Sequence, residues 1–419
     1  MMLKRTWQPL TMVTAGAALV LVASGCAPSG TAGASEGDTI KIGVLSTTEG
    51  TLAFGMDEAK AAIGISMEAR GGTAEGGEIG GAQVEFVYEG TDGTATSAQT
   101  KAKKLVEQDG VDIVFGPLSG DEGEAIVQYA LTTPELTFVN GTASPVSLTL
   151  EGAENFYRFN GDAAMWMGGL GNYAYDEKGY NTIYSIAEDY SFPYDNAGGF
   201  FTEYCAAGGE VTGNAWVPVG TTDYATIISQ IPADTDAIYV GLGGSDAASF
   251  LSQAVTAGLD KPIVGGSIAL DATALSGEAN IADAATGAIT GGQFPGADYD
   301  NPLWIDFSDA YKKQPNTFPE PSIFASAFYN SFESLARGLE ESDGDLSDGQ
   351  AALRDALSNL EWDSPTGHIS VDDNNQAIIT NFLVEVVNTD GELSMSNIAV
   401  EEGVKQGETV FDRFEGCPK

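Results

Sequence analysis

Strand-like and helix-like segments take turns along almost the whole chain from Thr39 onward, and this alternation limits the fold more than any other feature. Residues 40–45 (Ile-Lys-Ile-Gly-Val-Leu) read as a strand, 56–69 as a helix and 84–88 as a second strand. A helix over 94–108, a strand over 111–116, a helix over 123–131 and a strand over 136–139 follow. The pattern restarts after Phe156-Tyr157-Arg158-Phe159-Asn160. Helices over 163–175, 197–206, 224–230 and 247–257 then alternate with strands over 182–187, 211–217, 237–240 and 262–265. Such alternation implies parallel sheets covered by helices on both faces. Two successive sets of similar size imply two lobes, as expected where a chain of 419 residues outgrows a single core.

The remainder of the chain indicates how the lobes are joined. After a strand over 288–294, helices over 302–312, 323–340 and 350–360 look like additions to the first lobe. Strands over 368–371 and 378–387, joined by the turn-rich Asp372-Asp373-Asn374-Asn375, have an antiparallel character. The chain would then cross between lobes near 157–161, 290–296 and 361–367. The expected division is 39–158 plus 293–362 against 159–292 plus 363–419. This is an α/β fold with two open αβα lobes on a three-crossing hinge. The cleft is expected at the carboxyl ends of the strands.

Lys4 and Arg5 precede an apolar run ending at Ala23-Ser24-Gly25-Cys26, which is too short for a membrane span of roughly 20 residues. With the small and polar stretch 27–38 behind it, this start resembles the lipobox and tether of a bacterial lipoprotein. Residues 1–25 would be the signal peptide, Cys26 the acylated residue and 26–38 the tether. Ala23 stands where such proteins mostly carry Leu, and an ordinary secretory peptide with an unacylated Cys26 is the alternative. Cys205 and Cys417 remain as a pair in a compartment that permits disulfides, and they are expected to bond.

Charge and motifs narrow the function. Eighteen Lys and Arg against 60 Asp and Glu give a net charge of −42. That balance argues against nucleic acid and against direct adsorption to an anionic membrane. The lipid on Cys26 is therefore the expected membrane contact. One histidine, His368, and two spare cysteines offer no zinc spacing, and no Asp-x-Asp-x-Asp-Gly loop is present, so neither metal nor cofactor is expected. A serine hydrolase needs a Gly-x-Ser-x-Gly elbow with a histidine, and the sole one, His368, follows Gly367 at an expected crossing or strand start; Gly241-Leu242-Gly243-Gly244 lacks dinucleotide spacing. An enzyme is the disfavoured class.

Several segments in order carry a family likeness: Ile40 to Val44, Val217-Pro218-Val219-Gly220-Thr221-Thr222-Asp223-Tyr224, Asn301-Pro302 to Lys313, and Leu353-Arg354-Asp355-Ala356-Leu357 to Ser370. Together they resemble the periplasmic type I solute-binding proteins of ABC transporters, in the branched-chain amino acid (Leu/Ile/Val-binding) group. The resemblance implies a monomer that closes over a small solute and presents it to a membrane permease; a sensor docking to a receptor would share the same cleft.

The resemblance also suggests site residues. Ser119 or Gly120, at the start of a helix, would hold a carboxylate or carbonyl, as would Thr142 and Ser144 in the loop from Asn140. Tyr190 and Phe192 would lay aromatic area over the solute, and Trp166 faces either the cleft or the core. Ser267 stands where amino-acid binders place the acid that pairs with an ammonium, and Gly243 lies in a loop that is aromatic-rich in the family. Asp246 could supply the missing charge from a shifted position. The expected solute is a small organic acid or amide with an apolar or aromatic body, ahead of leucine, isoleucine or valine.

Overall fold

A computed structural model describes residues 39–276 and 280–418; the expected signal peptide, Cys26 and the tether lie outside them. The first sheet contains β1 (Ile40–Thr47), β2 (Gly76–Ile79), β3 (Ala82–Thr91), β4 (Ile113–Phe115), β5 (Thr137–Val139) and β6 (Phe156–Tyr157), in the order β2-β3-β1-β4-β5-β6. Central β1 runs parallel to β3 and β4 and is buried along nearly its whole length, as a strand covered on both faces should be.

The second sheet contains β7 (Thr182–Glu188), β8 (Glu210–Val217), β9 (Ala237–Gly241), β10 (Ile263–Gly265), β11 (Ile289–Gly292), β12 (Glu361–Ser364), β13 (Gly367–Val371), β14 (Ala377–Thr389) and β15 (Glu392–Val404). Its order is β12-β13-β14-β11-β10-β9-β7-β8, with β15 paired to β14. Pairing is parallel from β8 through β11 and antiparallel from β11 onward.

After β11 the chain returns to the first lobe. The helices Pro302–Tyr311 and Ile323–Glu341 pack on the helix Gly55–Glu68. The Tyr311 hydroxyl donates to Glu58 Oε1 at 2.6 Å, the Ser322 hydroxyl to Glu58 Oε2 at 2.9 Å, and the Ser66 hydroxyl to Glu333 at 2.7 Å. Burial pushes the Glu58 carboxyl up to about 7 against the pull of its two hydroxyl donors.

Several elements differ from the sequence reading. Strands β2, β6, β12 and β15 have no counterpart in the sequence reading, and β2 gives the first sheet an antiparallel edge. Glycine in β2 and the Glu, Ser and Asn of β15 mask their strand character, although Asp390-Gly391, both at positive φ, is the turn that closes the β14–β15 hairpin. The helix expected over 163–175 is a single tight turn, Met165–Met167, followed by the helix Leu170–Asp176. Gly168 and Gly169 separate them, Gly169 at φ +81°, because two adjacent glycines disfavour a continuous helix. The helix expected over 197–206 starts earlier and covers Ser191–Ala207, so Phe192 and Tyr194 are helical rather than in a loop. Pro193 falls in the first turn, where its missing N–H goes unused.

Cys205 and Cys417 form a disulfide with a Cα–Cα distance of 5.4 Å. It pins a C-terminal strap to the helix Ser191–Ala207, where Phe414 stacks on Phe201 at 4.1 Å and the Phe411 N–H donates to Asp195 at 2.8 Å. Replacing both cysteines with serine is expected to lower stability by about 2–4 kcal/mol, because the bond closes a long loop and restricts the unfolded chain. Urea unfolding of the double variant measures this; an unchanged midpoint would show that the aromatic stacking alone holds the strap.

Candidate functional site

The carboxyl ends of both sheets meet around a small cavity. From the first lobe come Ser119, Gly120, Thr142 and Ser144; from the second come Trp166, Tyr190 and Phe192. The space between them is about 20 Å³, room for little more than one water molecule. The two lobes therefore meet closely around it.

Local structure places the polar wall. Ser119 is the N-cap of the helix Gly120–Thr132, and its N–H donates to the Glu122 carboxylate at 3.1 Å while its hydroxyl donates to the Gly93 carbonyl at 3.2 Å. The positive end of that helix opens at Gly120, which lines the cavity. Burial raises the Glu122 carboxyl above its usual range. The Thr142 hydroxyl donates to the Leu118 carbonyl at 3.0 Å, and the Ser144 hydroxyl donates to the Thr142 carbonyl at 2.7 Å. Asn140 lies behind this loop, donating to the Ala143 carbonyl and to Asn160 at 3.0 and 3.1 Å, and so shapes the wall without forming it.

The apolar wall is built from crossed rings. Trp166 and Phe192 meet edge to face at 6.1 Å, and Tyr190 stacks on Phe192 at 6.2 Å. Trp166 thus faces the cleft, with its indole N–H buried and unpartnered among the described residues. The sequence reading missed Leu52, Leu118, Ile268 and Phe324, which also line the cavity. Aliphatic residues on a wall look like core residues in a sequence, because both are simply buried.

Besides Asn140, three of the expected site residues lie elsewhere. Ser267 is fully buried against Asn196, accepting from its Nδ2 at 3.2 Å and donating its own N–H to Oδ1 at 3.3 Å. Gly243 is the N-cap of the helix Gly244–Ala257 and packs on Ile268. Asp246, in the first turn of that helix, accepts from the Thr51 hydroxyl at 3.3 Å and from the Gly220 N–H at 2.6 Å. It fastens the lip of the cleft rather than lining the cavity. Among the described residues no charged side chain lines the cavity, so its polarity comes from hydroxyls, backbone amides and ring edges.

No group of three or more His, Cys, Asp or Glu among the described residues could hold a metal ion. His368 is exposed and paired with Asp363 at 2.9 Å, far along the chain from the cavity wall.

The sequence pattern described as "Periplasmic binding protein" matches residues 39–392. A Leu/Ile/Val-binding protein homolog 6 of Brucella melitensis is 24% identical over 383 residues, covering 90% of this chain and 95% of the relative. Among solved structures, a solute-binding protein of an ABC transporter from Rhodopseudomonas palustris BisB5, in complex with 3,4-dihydroxybenzoic acid, superposes with a TM-score of 0.79 at 22% identity, covering 88% of this chain and 98% of that one. A leucine-binding protein from Thermotoga maritima superposes with a TM-score of 0.74 at 20% identity, covering 87% of this chain and 99% of that one.

Proposed function

The chain belongs to the periplasmic binding protein family, and on that premise we propose that it is an extracytoplasmic solute-binding protein of an ABC transporter. In this reading 39–158 with 293–362 and 159–292 with 363–419 are the two bodies that close over a solute. An acylated Cys26 would tether the monomer to the membrane beside its permease. Relatives and structural neighbours described as binding branched-chain amino acids or aromatic acids support the transport reading.

One observation carries the solute class: the cavity joins the start of the helix Gly120–Thr132 to three aromatic rings and receives no carboxylate from the described residues. An ammonium would be buried without an anionic partner. A carboxylate or amide head would meet Ser119, Gly120, Thr142 and Ser144, while Trp166, Tyr190 and Phe192 enclose a flat or apolar body. We therefore favour a small organic acid or amide over leucine, isoleucine or valine.

Calorimetry with 4-hydroxybenzoate, benzoate, leucine, valine and the keto acids of the two amino acids tests this. The acids lacking an ammonium are expected to bind at least about tenfold more tightly than leucine, a difference near 1.4 kcal/mol. Leucine bound more tightly than its keto acid overturns the solute class, and the absence of binding by every compound removes the support for this reading of the cavity.

A further inference from the structure

We propose that Glu188 and Asp246 form a proton site beneath the lip of the cleft, so that closing the two lobes takes up a proton and opening them releases it. The inference rests on the reading of the lobes as moving bodies, but not on the identity of the solute.

Glu188 ends β7 and Asp246 lies in the first turn of the neighbouring helix Gly244–Ala257, so the topology sets the two carboxyls side by side. Both are nearly closed off from water, at 2% and 3% exposure. Each carboxyl is within reach of the other, and Glu188 Oε1 is buried with no hydrogen-bond partner among the described residues. Two carboxylates cannot share a bond without a proton between them.

The first lobe seals the pair. Thr51 donates its hydroxyl to Asp246, and its carbonyl approaches so closely that a Cβ on Gly244, at φ +49°, would lie 2.7 Å from it. Only glycine tolerates both that conformation and that approach. When the lobes part, Thr51 leaves and water reaches Asp246.

Among the described residues no cation relieves the pair. The titratable groups that face it are Tyr190 at the start of the helix Ser191–Ala207, Tyr224 ahead of the helix Ala225–Gln230, and Asp121 near Tyr190 from the first lobe. A backbone partner of the pair is the Gly220 N–H, which donates to Asp246 at 2.6 Å. Burial is the largest influence on both carboxyls and raises both, with Glu188 held well above the usual carboxylate range. Their titration belongs to the pair as a unit.

The sign follows from linkage. The closed form has the higher pKa and so binds the proton more tightly than the open form, whose solvated carboxyls titrate near about 4. Closure is therefore fully favoured below that value. As pH rises toward the closed form's raised titration point, the closed-to-open ratio falls by at most about tenfold per pH unit, and then it levels off.

Small-angle scattering of the solute-free chain from pH 4.5 to 8.5 tests the proposal, with Glu188→Gln as the comparison. The amide that this substitution introduces donates to Asp246 at every pH, so the wild type is expected to expand as pH rises while the variant holds one radius of gyration. General self-repulsion of an acidic surface would expand both chains equally, and that result overturns the proposal, as does a wild type indifferent to pH. Asp246→Asn provides a second neutral partner should Glu188→Gln fold poorly, and the same flat response is expected of it. Because no solute is added, a failed ligand screen leaves this test standing.

Discussion

Arg158→Ala is expected to destabilise the chain by about 3–5 kcal/mol, the usual result of leaving a buried charge without its partner. Arg158 follows β6 directly, where the chain leaves the first sheet, and its side chain is wholly buried. Its guanidinium donates to the Pro145 carbonyl at 2.6 Å, to the Thr149 hydroxyl at 3.4 Å and to the Gln376 side chain. Its backbone pairs with the start of β14: Arg158 N–H donates to the Asn375 carbonyl at 3.0 Å and Ala377 N–H to the Arg158 carbonyl at 2.8 Å. One residue thus ties a loop of the first lobe to a strand of the second.

Burial lowers the Arg158 pKa to about 10, and the carboxylates of Asp162, Asp195 and Asp372 oppose that shift, so the group stays charged at neutral pH. Asp162 lies 3.9 Å away with one carboxylate oxygen that makes no hydrogen bond among the described residues. Truncating the arginine strands that charge. Arg158→Lys should recover little, because a point charge cannot reproduce a planar fork that reaches three acceptors. Denaturant unfolding with a loss below about 1 kcal/mol would show that water enters and replaces the guanidinium.

Gly120→Val is expected to weaken solute binding by about 100-fold while leaving the fold intact. A Cβ at Gly120 would lie 2.8 Å from Ser191 Oγ and 3.1 Å from Phe192 Cβ, both on the second lobe, and 3.1 Å from Pro145. Overpacking of this kind costs about 1–3 kcal/mol, and the two extra methyls of valine put it at the upper end. Most of those contacts exist only when the lobes meet, so the cost falls on the closed form and appears as lost affinity. Calorimetry paired with thermal unfolding of the solute-free chain separates the two effects. Equal affinity in the variant would mean that the lobes bind solute without meeting at this point.

Much of the fold was legible because strand and helix periods are local. Ile40, Ile42 and Val44 announce a strand, and the restart after Asn160 marks a second lobe. The failures are equally physical. Val211-Thr212 signals a strand by its branched side chains, whereas Gly76-Gly77 and Glu401-Glu402 enter strands only because a partner strand lies alongside.

At the candidate site the same division holds. The sequence by itself determined which chemistry stands near the carboxyl ends of the strands: Ser119 before an acidic helix start, hydroxyls after Asn140, and aromatics around Tyr190. It could not determine direction. Asp246 and Trp166 each had two possible orientations, and the helix start at Gly244 together with the break at Gly168-Gly169 decided between them. Asp246 turns to Thr51 at the lip and Trp166 turns to the cavity, because a side chain's direction follows from backbone geometry and from contacts about 200 residues away in sequence, such as Thr51 with Asp246 and Trp166 with Asn381.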